Sequence, residues 1–226
     1  MTDDPQAQIR AVAALEDDLR HGMYAFIRQA RRPVTRDEAA ASVGISRKLA
    51  AFHLDKLVEA GVLRSSYEPA GKVGRAPKVY RPSETDIRIS IPPRRPDMLA
   101  EILLDAVLTE RDGETARDAA LRGARARGSA LGQAERERLR TGRLGAERAL
   151  TVAAGILQRA GFEPAREAPT CVRLRNCPFH PLAAKAPGLI CGINQAFLAG
   201  LLGALEAPAE AVLSPRPGEC CVELRA

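Results

Sequence analysis

The first part of the chain alternates apolar stretches of helical spacing with short polar breaks. Apolar side chains recur every three or four residues over 11–30, which predicts a first helix there. Thr35 is followed by acidic residues, a typical N-cap and first turn, and predicts a second helix that continues to about Ser42. Gly44 is expected to end this second helix, because glycine is common just past a helix end.

A third, basic helix is predicted to begin at Ser46, whose side chain suits an N-cap. In this helix Leu49 and Phe52 are expected to face a core, and the basic side chains are expected to face outward. A short helix, a glycine turn and a basic helix in this order are typical of helix-turn-helix proteins. The residues of this helix expected to contact DNA are Ser46, Arg47, Lys48, His53 and Lys56.

A polar stretch with turn residues, from Tyr67 to Lys78, follows the basic helix. Two short strands with a flexible tip fit this pattern and predict a wing beside the helix-turn-helix. A wing can enter the minor groove of DNA, so its basic residues Lys72, Arg75 and Lys78 are also expected to contact DNA.

Residues 91–96 contain repeated prolines and mark a domain boundary, since each proline disfavours helix in the residue before it. Long amphipathic stretches then predict helices over about 96–110, 114–131 and 134–160, the last ending at Gly161. The apolar faces of these helices suit dimer packing as well as a core.

From residue 162 onward, short alternating runs replace the long helical pattern. The predicted strands cover 162–166, 171–175, 211–214 and 221–225, and a predicted apolar helix covers 189–205. The expected fold class is therefore mainly α with an α+β C-terminal domain. It comprises an N-terminal winged helix-turn-helix, central long helices, and a small C-terminal antiparallel sheet with a helix.

The composition favours a globular protein with an anionic partner. Hydrophobic residues make up 46% of the 226 residues, enough for a sizeable core, and the formal net charge is +6. A basic protein of this kind can bind a polyanion such as DNA. The N-terminus lacks a signal-peptide pattern and no apolar run has the length of a membrane span, so a cytoplasmic protein without membrane association is expected.

Cysteines are the strongest chemical feature of the chain, and four of the five lie in its last fifty residues. In a reducing cytoplasm such thiols are metal ligands or redox groups more often than disulfides. Cys177 ends a strand-like run, Cys191 opens the apolar helix, and Cys220 with Cys221 begins the final strand. These three places are predicted to converge on one metal ion or cluster, with a spacing that is not that of a zinc finger.

The ligand set leaves several alternatives open. Adjacent residues of a strand point to opposite faces, so only one of Cys220 and Cys221 is expected to bind, with Cys220 favoured. A fourth position is open to His180, a carboxylate, Cys171 or a small molecule. Three thiolates and one imidazole suit zinc as well as iron, and the bland alternative is a set of buried cysteines that act as small hydrophobic groups.

Residues 45–81 resemble the winged-helix domain of the ArsR-like and MarR-like bacterial regulators. The resemblance lies chiefly in residues 53–57, which read HLDKL, and in residues 74–80, which read GRAPKVY. It implies a DNA-binding domain over residues 1–88, in which the basic helix and the wing contact double-stranded DNA.

Residues 177–223 resemble the C-terminal domain of the SufR family of iron-sulfur-responsive repressors, in the NCPF run at 176–179, in Cys191, and in the GECC run at 218–221. The resemblance implies a homodimeric repressor of iron-sulfur cluster assembly genes that binds a palindromic operator and one 4Fe-4S cluster per subunit. It implies ligand roles for Cys177 and Cys191 and for one cysteine of the GECC run. The implied division is a linker and dimerisation region over 89–160 and a cluster-binding sensor domain over 161–226.

Other functions compete with this one. A winged-helix regulator with a structural zinc ion, a small-molecule effector pocket or a thiol–disulfide switch is the main alternative. Cys177 and Cys191 are the expected disulfide pair, because adjacent cysteines rarely pair with each other. A catalytic pair of Cys177 and His180 lacks a recognisable third group, so no enzymatic activity is expected.

Overall fold

The computed structural model describes residues 5–68, 76–140 and 144–226. The chain divides into two compact units, Met1–Ile89 and Ser90–Ala226, and each unit contains a small antiparallel sheet. A mixed α+β fold that is mainly helical and carries a C-terminal sheet is confirmed at this level. The helices within residues 89–160 share one core with the elements of 161–226.

The first unit contains four helices within its described residues. They are α1 (Pro5–Ala14), α2 (Asp18–Ala30), α3 (Arg36–Ser42) and α4 (Arg47–Glu59). The single helix predicted over 11–30 is wrong, because one helix ends at Ala14 and another begins at Asp18. The Asp17 side chain accepts a hydrogen bond from the Arg20 backbone N–H at 2.9 Å and so starts a new helix.

The helix starts predicted at Thr35 and Ser46 are confirmed. Thr35 and Glu38 form a reciprocal capping box at the start of α3. The Ser46 hydroxyl accepts from the Leu49 backbone N–H at 3.3 Å at the start of α4. Gly44 lies between these two helices with a φ of +69°, in the left-handed region that glycine tolerates best.

A three-stranded antiparallel sheet completes the first unit. Its strands are β1 (Val34–Thr35), β2 (Leu63–Tyr67) and β3 (Lys78–Pro82), in the order β1-β3-β2. β2 begins four residues before the predicted wing. The core of this unit joins apolar side chains of the helices to Tyr80 of β3, which is fully buried.

The second unit is built around two long helices. Its helices are α5 (Pro96–Leu108), α6 (Ala116–Leu139), α7 (Ala146–Arg159), the short α8 (Leu182–Lys185) and α9 (Pro187–Ala204). α6 continues beyond the predicted end at residue 131, and the helix predicted from 134 begins only at Ala146. Residues around position 132 therefore lie inside α6, where a break between two helices was predicted.

Helices α6 and α9 pack closely because glycines lie between them. A methyl group at Gly128 would stand 1.9 Å from the Phe197 carbonyl oxygen, and one at Gly200 would stand 2.1 Å from the Arg125 carbonyl oxygen. Real Cβ atoms do not approach backbone this closely, so only glycine permits this separation of the helices.

A four-stranded antiparallel sheet packs beside α9. Its strands are β4 (Pro164–Ala168), β5 (Cys171–Leu174), β6 (Glu210–Leu213) and β7 (Val222–Arg225), in the order β4-β5-β7-β6. By length and composition α9 could cross a membrane, but half of it is buried inside the fold, and the core helix of a folded unit meets the same criteria.

Candidate functional site

Three segments of the second unit bring four cysteines to one place. Cys177 follows β5, Cys191 lies near the start of α9, and Cys220 with Cys221 immediately precedes β7. The Cys220 backbone N–H donates to the Leu174 carbonyl at 2.9 Å, which ties the last segment to the end of β5. We refer to Cys177, Cys191, Cys220 and Cys221 as the thiol cluster.

The side chains of the thiol cluster interact in pairs, in which one thiol alters the pKa of the next. Cys177 is linked to Cys220, Cys220 to Cys221, and Cys221 to Cys191. All four cysteines are free thiols. β7 begins at Val222, so strand alternation does not separate Cys220 from Cys221, and both take part in the cluster.

The surroundings of the cluster favour the protonated thiols. A hydrogen bond to Cys220, together with burial, raises the pKa of Cys177 well above its usual range. Burial raises the pKa of Cys191, although the hydrogen bond from Cys221 lowers it. For Cys220 the hydrogen bond with Cys177 lowers the pKa, but the bond to Cys221 and burial raise it to about 11.

Asn194 lies one turn after Cys191 on α9 and is fully buried. Its Nδ2 donates to the Cys220 sulfur at 3.0 Å. Its Oδ1 is buried without a hydrogen-bond partner in the described part of the chain. A donor aimed at sulfur and an unpaired acceptor beside it give the thiol cluster a polar wall, which metal–thiolate sites use to tune their ligands.

The donor chemistry of the thiol cluster fits a metal or an iron-sulfur cluster. Thiolate sulfur suits zinc and iron, and three separate segments supply it. Among the described residues, however, no three His, Cys, Asp or Glu side chains are already spaced as ligands of one metal ion. The raised pKa values of Cys177, Cys191 and Cys220 favour protonated thiols, and metal binding to them would release their protons.

The other two residues considered as ligands lie outside the thiol cluster. His180 is in the turn after Cys177, where its backbone N–H donates to the Cys177 carbonyl at 3.1 Å, and its side chain is exposed. Cys171 begins β5 opposite Arg225 on β7. No described hydrogen bond joins either side chain to the cluster.

A buried ion pair holds the segment that carries Cys220. Arg173 on β5 is fully buried and pairs with Glu223, its direct neighbour on β7, which is 1% exposed. The Arg173 Nη2 also binds the Glu219 carboxylate at 2.8 Å, immediately before Cys220. The guanidinium thus fixes both the strand and the turn that present the cysteine pair.

The segment that leads from the first unit into α5 is hydrogen-bonded to the segment around Cys177. Arg94 donates to the Asn176 side-chain oxygen and to the Cys177 carbonyl, the latter at 2.9 Å. Asn176 Nδ2 donates to the Pro93 carbonyl at 2.9 Å, and the Arg95 backbone N–H donates to the Pro178 carbonyl at 2.9 Å. We call this set of contacts the linker clamp.

In the first unit, the face that α4 exposes differs from the predicted one. Leu49 and Phe52, which were expected to face the core, are 42% and 57% exposed. His53, expected to contact DNA, is buried, and its Nδ1 lies 3.8 Å from the Asp17 carboxylate. Burial follows Ala50, His53, Leu54 and Leu57, the i, i+3, i+4 and i+7 positions of one helical face. Because this face is buried, Leu49 and Phe52 lie on the exposed part of the helix.

Three of the predicted DNA-contacting side chains are paired with carboxylates; Arg47 and Lys56 are exposed, and Lys78 is partly buried. The pairs are Arg47 with Asp37 at 3.0 Å, Lys56 with Glu59 at 2.8 Å, and Lys78 with Asp55 at 2.8 Å. Lys48 is exposed on α4 and makes no ion pair within the described residues. Exposed pairs of this kind are weak, so the cations remain free to exchange a carboxylate for a phosphate. Lys72 and Arg75 lie outside the described residues.

Asn194, Arg173 and Arg94 belong to the surroundings of the site but were not predicted from the sequence. Asn194 had a local signal, since it is a polar residue within an apolar helix and one turn from Cys191. Arg173 and Arg94 had no local signal in the sequence, because their partners lie far along the chain. No protein-family model, curated protein or solved structure matches the chain.

Proposed function

We propose that the chain is a homodimeric, DNA-binding transcriptional repressor that senses iron-sulfur or redox status through a metal cofactor held by the thiol cluster. The observation that carries the proposal is the convergence of four free thiols from three segments of the second unit, with the buried Asn194 amide donating to the Cys220 sulfur. Genes for iron-sulfur cluster assembly are the proposed targets.

The first unit supports the DNA-binding part of the proposal. Helices α2, α3 and α4 and a sheet of order β1-β3-β2 are compatible with a winged helix, in which α4 would be the recognition helix. α4 exposes Arg47, Lys48 and Lys56 beside the aromatic ring of Phe52. Cations of this kind bind phosphates and guanine edges, and an exposed phenyl ring can contact a thymine methyl group.

Cys177, Cys191 and Cys220 are the residues proposed to hold a 4Fe-4S cluster, with Cys221 as the alternative to Cys220. The hydrogen bond from Asn194 favours Cys220, because an N–H donor stabilises a thiolate ligand. When bound, the cluster supplies sensitivity to oxygen, nitric oxide and iron supply. The fourth ligand stays open among His180, Cys171, a carboxylate and a small molecule.

The linker clamp supplies a route from the thiol cluster to the DNA-binding unit. Arg94 and Asn176 tie the chain before α5 to the backbone of Cys177. A change in the position of Cys177 on loss of metal would therefore act on the segment that connects the two units. A dimer that binds two half-sites of an operator is sensitive to such a change, because the distance between its two recognition helices must match the distance between the half-sites.

The α5 helix supports the homodimer. Leu104, Val107 and Leu108 are 57%, 72% and 71% exposed and fall on one helical stripe. Contiguous exposed apolar residues of this kind are typical of association surfaces. We propose that α5 packs against its copy in a second subunit.

Purification without oxygen, followed by visible spectroscopy and assay of iron and acid-labile sulfide, tests the metal proposal. Wild-type protein should be coloured and contain iron and sulfide, whereas Cys191→Ser should contain neither. A full cluster in Cys191→Ser would exclude the proposed ligands. Colourless wild-type protein with stoichiometric zinc would support the structural-zinc alternative.

DNA binding is tested separately by fluorescence anisotropy with duplex DNA over a range of salt concentrations. Lys48→Ala should weaken binding and reduce the salt slope by about one, since one phosphate contact is lost. Arg148→Ala, which changes an exposed arginine of α7, should bind like wild type. Equal binding by Lys48→Ala and wild type would remove α4 from the interface.

Coupling between metal and DNA is tested with Arg94→Gln. This variant should keep its iron and sulfide but lose the difference in DNA affinity between metal-loaded and metal-free protein. If the difference persists unchanged, the linker clamp does not carry the signal.

A thiol–disulfide switch is the second candidate function, because the free Cys177 thiol lies near enough to Cys220 for that thiol to shift its pKa. In such a switch the two thiols lose two protons and two electrons to hydrogen peroxide, which becomes two water molecules. Cys177 with Cys220 is the pair proposed for this switch, alongside the pair of Cys177 with Cys191 expected from the sequence. Peroxide treatment of metal-free protein, followed by peptide mapping, distinguishes this function from metal sensing.

A further inference from the structure

A cavity of about 540 Å³ lies between α6 and α9, closed on one side by β6. This volume falls in the range of about 300–1,000 Å³ that small-molecule sites occupy. Leu121, Ala196, Ala199 and Leu213 form its apolar walls. An apolar cavity of this size in the second unit is large enough for a small organic molecule.

Three arginines of α6 give the cavity a positive charge. Arg117, Leu121 and Arg125 follow one another at intervals of four residues, so they share one helical face. Neither Arg117 nor Arg125 makes an ion pair with any described residue. The third arginine, Arg122, is already bound by both oxygens of Glu114. Two guanidinium groups are therefore free to bind an anion.

Arg117 and Arg125 start from opposite ends of the apolar wall that α6 contributes. Their α-carbons are separated by eight residues of helix, about 12 Å, with Leu121 midway between them. Arg117 extends towards α9, where its Nη2 lies 3.6 Å from the position of a Cβ on Gly192. A ligand that satisfies both arginines has an apolar middle and an anionic group at each end.

We propose that this cavity binds a small organic dianion, an aliphatic chain that carries a carboxylate at each end. Each carboxylate pairs with one of Arg117 and Arg125, and the methylene chain contacts Leu121 and the alanines of α9. Cys191 also lines the cavity, so an occupied cavity covers one member of the thiol cluster. The site stands whether or not the cluster binds metal.

Isothermal titration calorimetry on the reduced, metal-free, full-length protein tests this site with suberate. Octanoate, which has one carboxylate, and 1,8-octanediol, which has none, are matched in length. Suberate should bind at least tenfold more tightly than octanoate, and the diol should bind most weakly. Equal affinities for suberate and the diol would overturn the proposal.

Variants on the same helix locate the site. The double substitution Arg117→Gln with Arg125→Gln should weaken suberate binding at least a hundredfold, since both carboxylates lose a cation. Arg127→Gln, on another face of α6, should bind suberate like wild type. An equal loss in Arg127→Gln would show that suberate responds to general charge and not to this cavity.

Alkylation of Cys191 by iodoacetamide provides a second readout, followed by peptide mass spectrometry. Saturating suberate should slow the modification of Cys191 severalfold and leave that of Cys171 unchanged, because only Cys191 lines the cavity. Equal slowing at both thiols, or slowing at neither, would contradict the placement of the ligand. These outcomes are independent of the iron and DNA measurements, so the site and the proposed function fail separately.

Discussion

At the scale of single residues, one buried cation controls the position of the cysteine pair. Arg173 and Glu223 face each other across β5 and β7 with almost no solvent exposure. Taking two charges out of water is costly, and their attraction compensates for this cost only while both are present. Arg173 also holds Glu219, so the pair stabilises the strand and orients the turn before Cys220.

Arg173→Met should therefore destabilise the reduced apoprotein by about 3–5 kcal/mol, because it leaves the buried Glu223 carboxylate with only the half-exposed Arg225 as a described partner. Adding Glu223→Leu to this variant should restore a large part of the loss. Urea unfolding of the two variants and wild type measures both effects. A double variant as unstable as the single one would show that the pair does not act as a unit.

A second single-residue prediction concerns the acid stability of the first unit. The ion pair with Arg32, followed by hydrogen bonds from Thr35, lowers the pKa of Glu38 to about 2. The stabilisation is present above the unfolded value of 4.5 and is lost as the pH falls from there towards 2. Glu38→Gln should cost about 0.5–1 kcal/mol at pH 7, a small value because the side chain is partly exposed.

The difference between Glu38→Gln and wild type should shrink steadily below pH 4, measured as the midpoint of thermal unfolding. Glu84→Gln is the matched control, because this carboxylate is 80% exposed and its ion pair among the described residues is with Arg64 on the surface. A pH-independent deficit in Glu38→Gln would mean that the charge of Glu38 does not stabilise the fold.

At the scale of elements, the close packing of α6 on α9 positions both the cavity and Cys191. Gly128 and Gly200 allow each helix to approach the backbone of the other. Ala196, Phe197 and the other buried residues of α9 then complete the core of the second unit. The glycines are therefore requirements of packing, although in an isolated helix they would only weaken it.

Two glycines of α9 make a matched test of this packing. Gly200→Ala should destabilise the protein by about 1–3 kcal/mol, because its new methyl group overlaps the Arg125 carbonyl. Gly203→Ala meets no atom within 4 Å and should be neutral or stabilising by at most about 1 kcal/mol. Chemical unfolding compares the two. Equal effects of both substitutions would argue against close contact of the helices at Gly200.

At the scale of the whole molecule, the chain consists of two units that meet in the sequence at Ile89 and Ser90, and the linker clamp holds residues that follow this boundary. Each unit has its own core, one around Tyr80 and one around Phe197. The proposed dimer surface on α5 belongs to the second unit, whereas the proposed DNA surface belongs to the first. The function proposed for the protein thus needs both units in one chain and two chains in one complex.

Val107→Glu should convert the proposed dimer into a monomer, because it places a charge in the exposed apolar stripe of α5. Sedimentation should show the change in mass, and circular dichroism should show an unchanged fold, since Val107 is 72% exposed. Ala130→Glu, on the exposed part of α6, should remain dimeric. A dimeric Val107→Glu variant would place the subunit contact elsewhere.

The sequence by itself determined the local features of this protein. Caps at Thr35 and Ser46, the proline-rich boundary near residue 91 and the two-residue periodicity after 162 depend on neighbours close in the chain, so they could be predicted. The convergence of the cysteines was predicted from their positions at the ends of predicted strands and at the start of a predicted helix. Predictions were weakest where a helix could continue or break, as at Asp17 and near residue 132.

The tertiary structure decided which face each element buries and which distant residues meet. It buried His53 and exposed Phe52, since the core beneath α4 is made by other helices and strands. It brought Arg173 to Glu223 and Arg94 to Cys177, partners separated by 50 and 83 positions in the chain. Local propensity carries no information about such pairs, because their energy arises only when the packed core removes both partners from water.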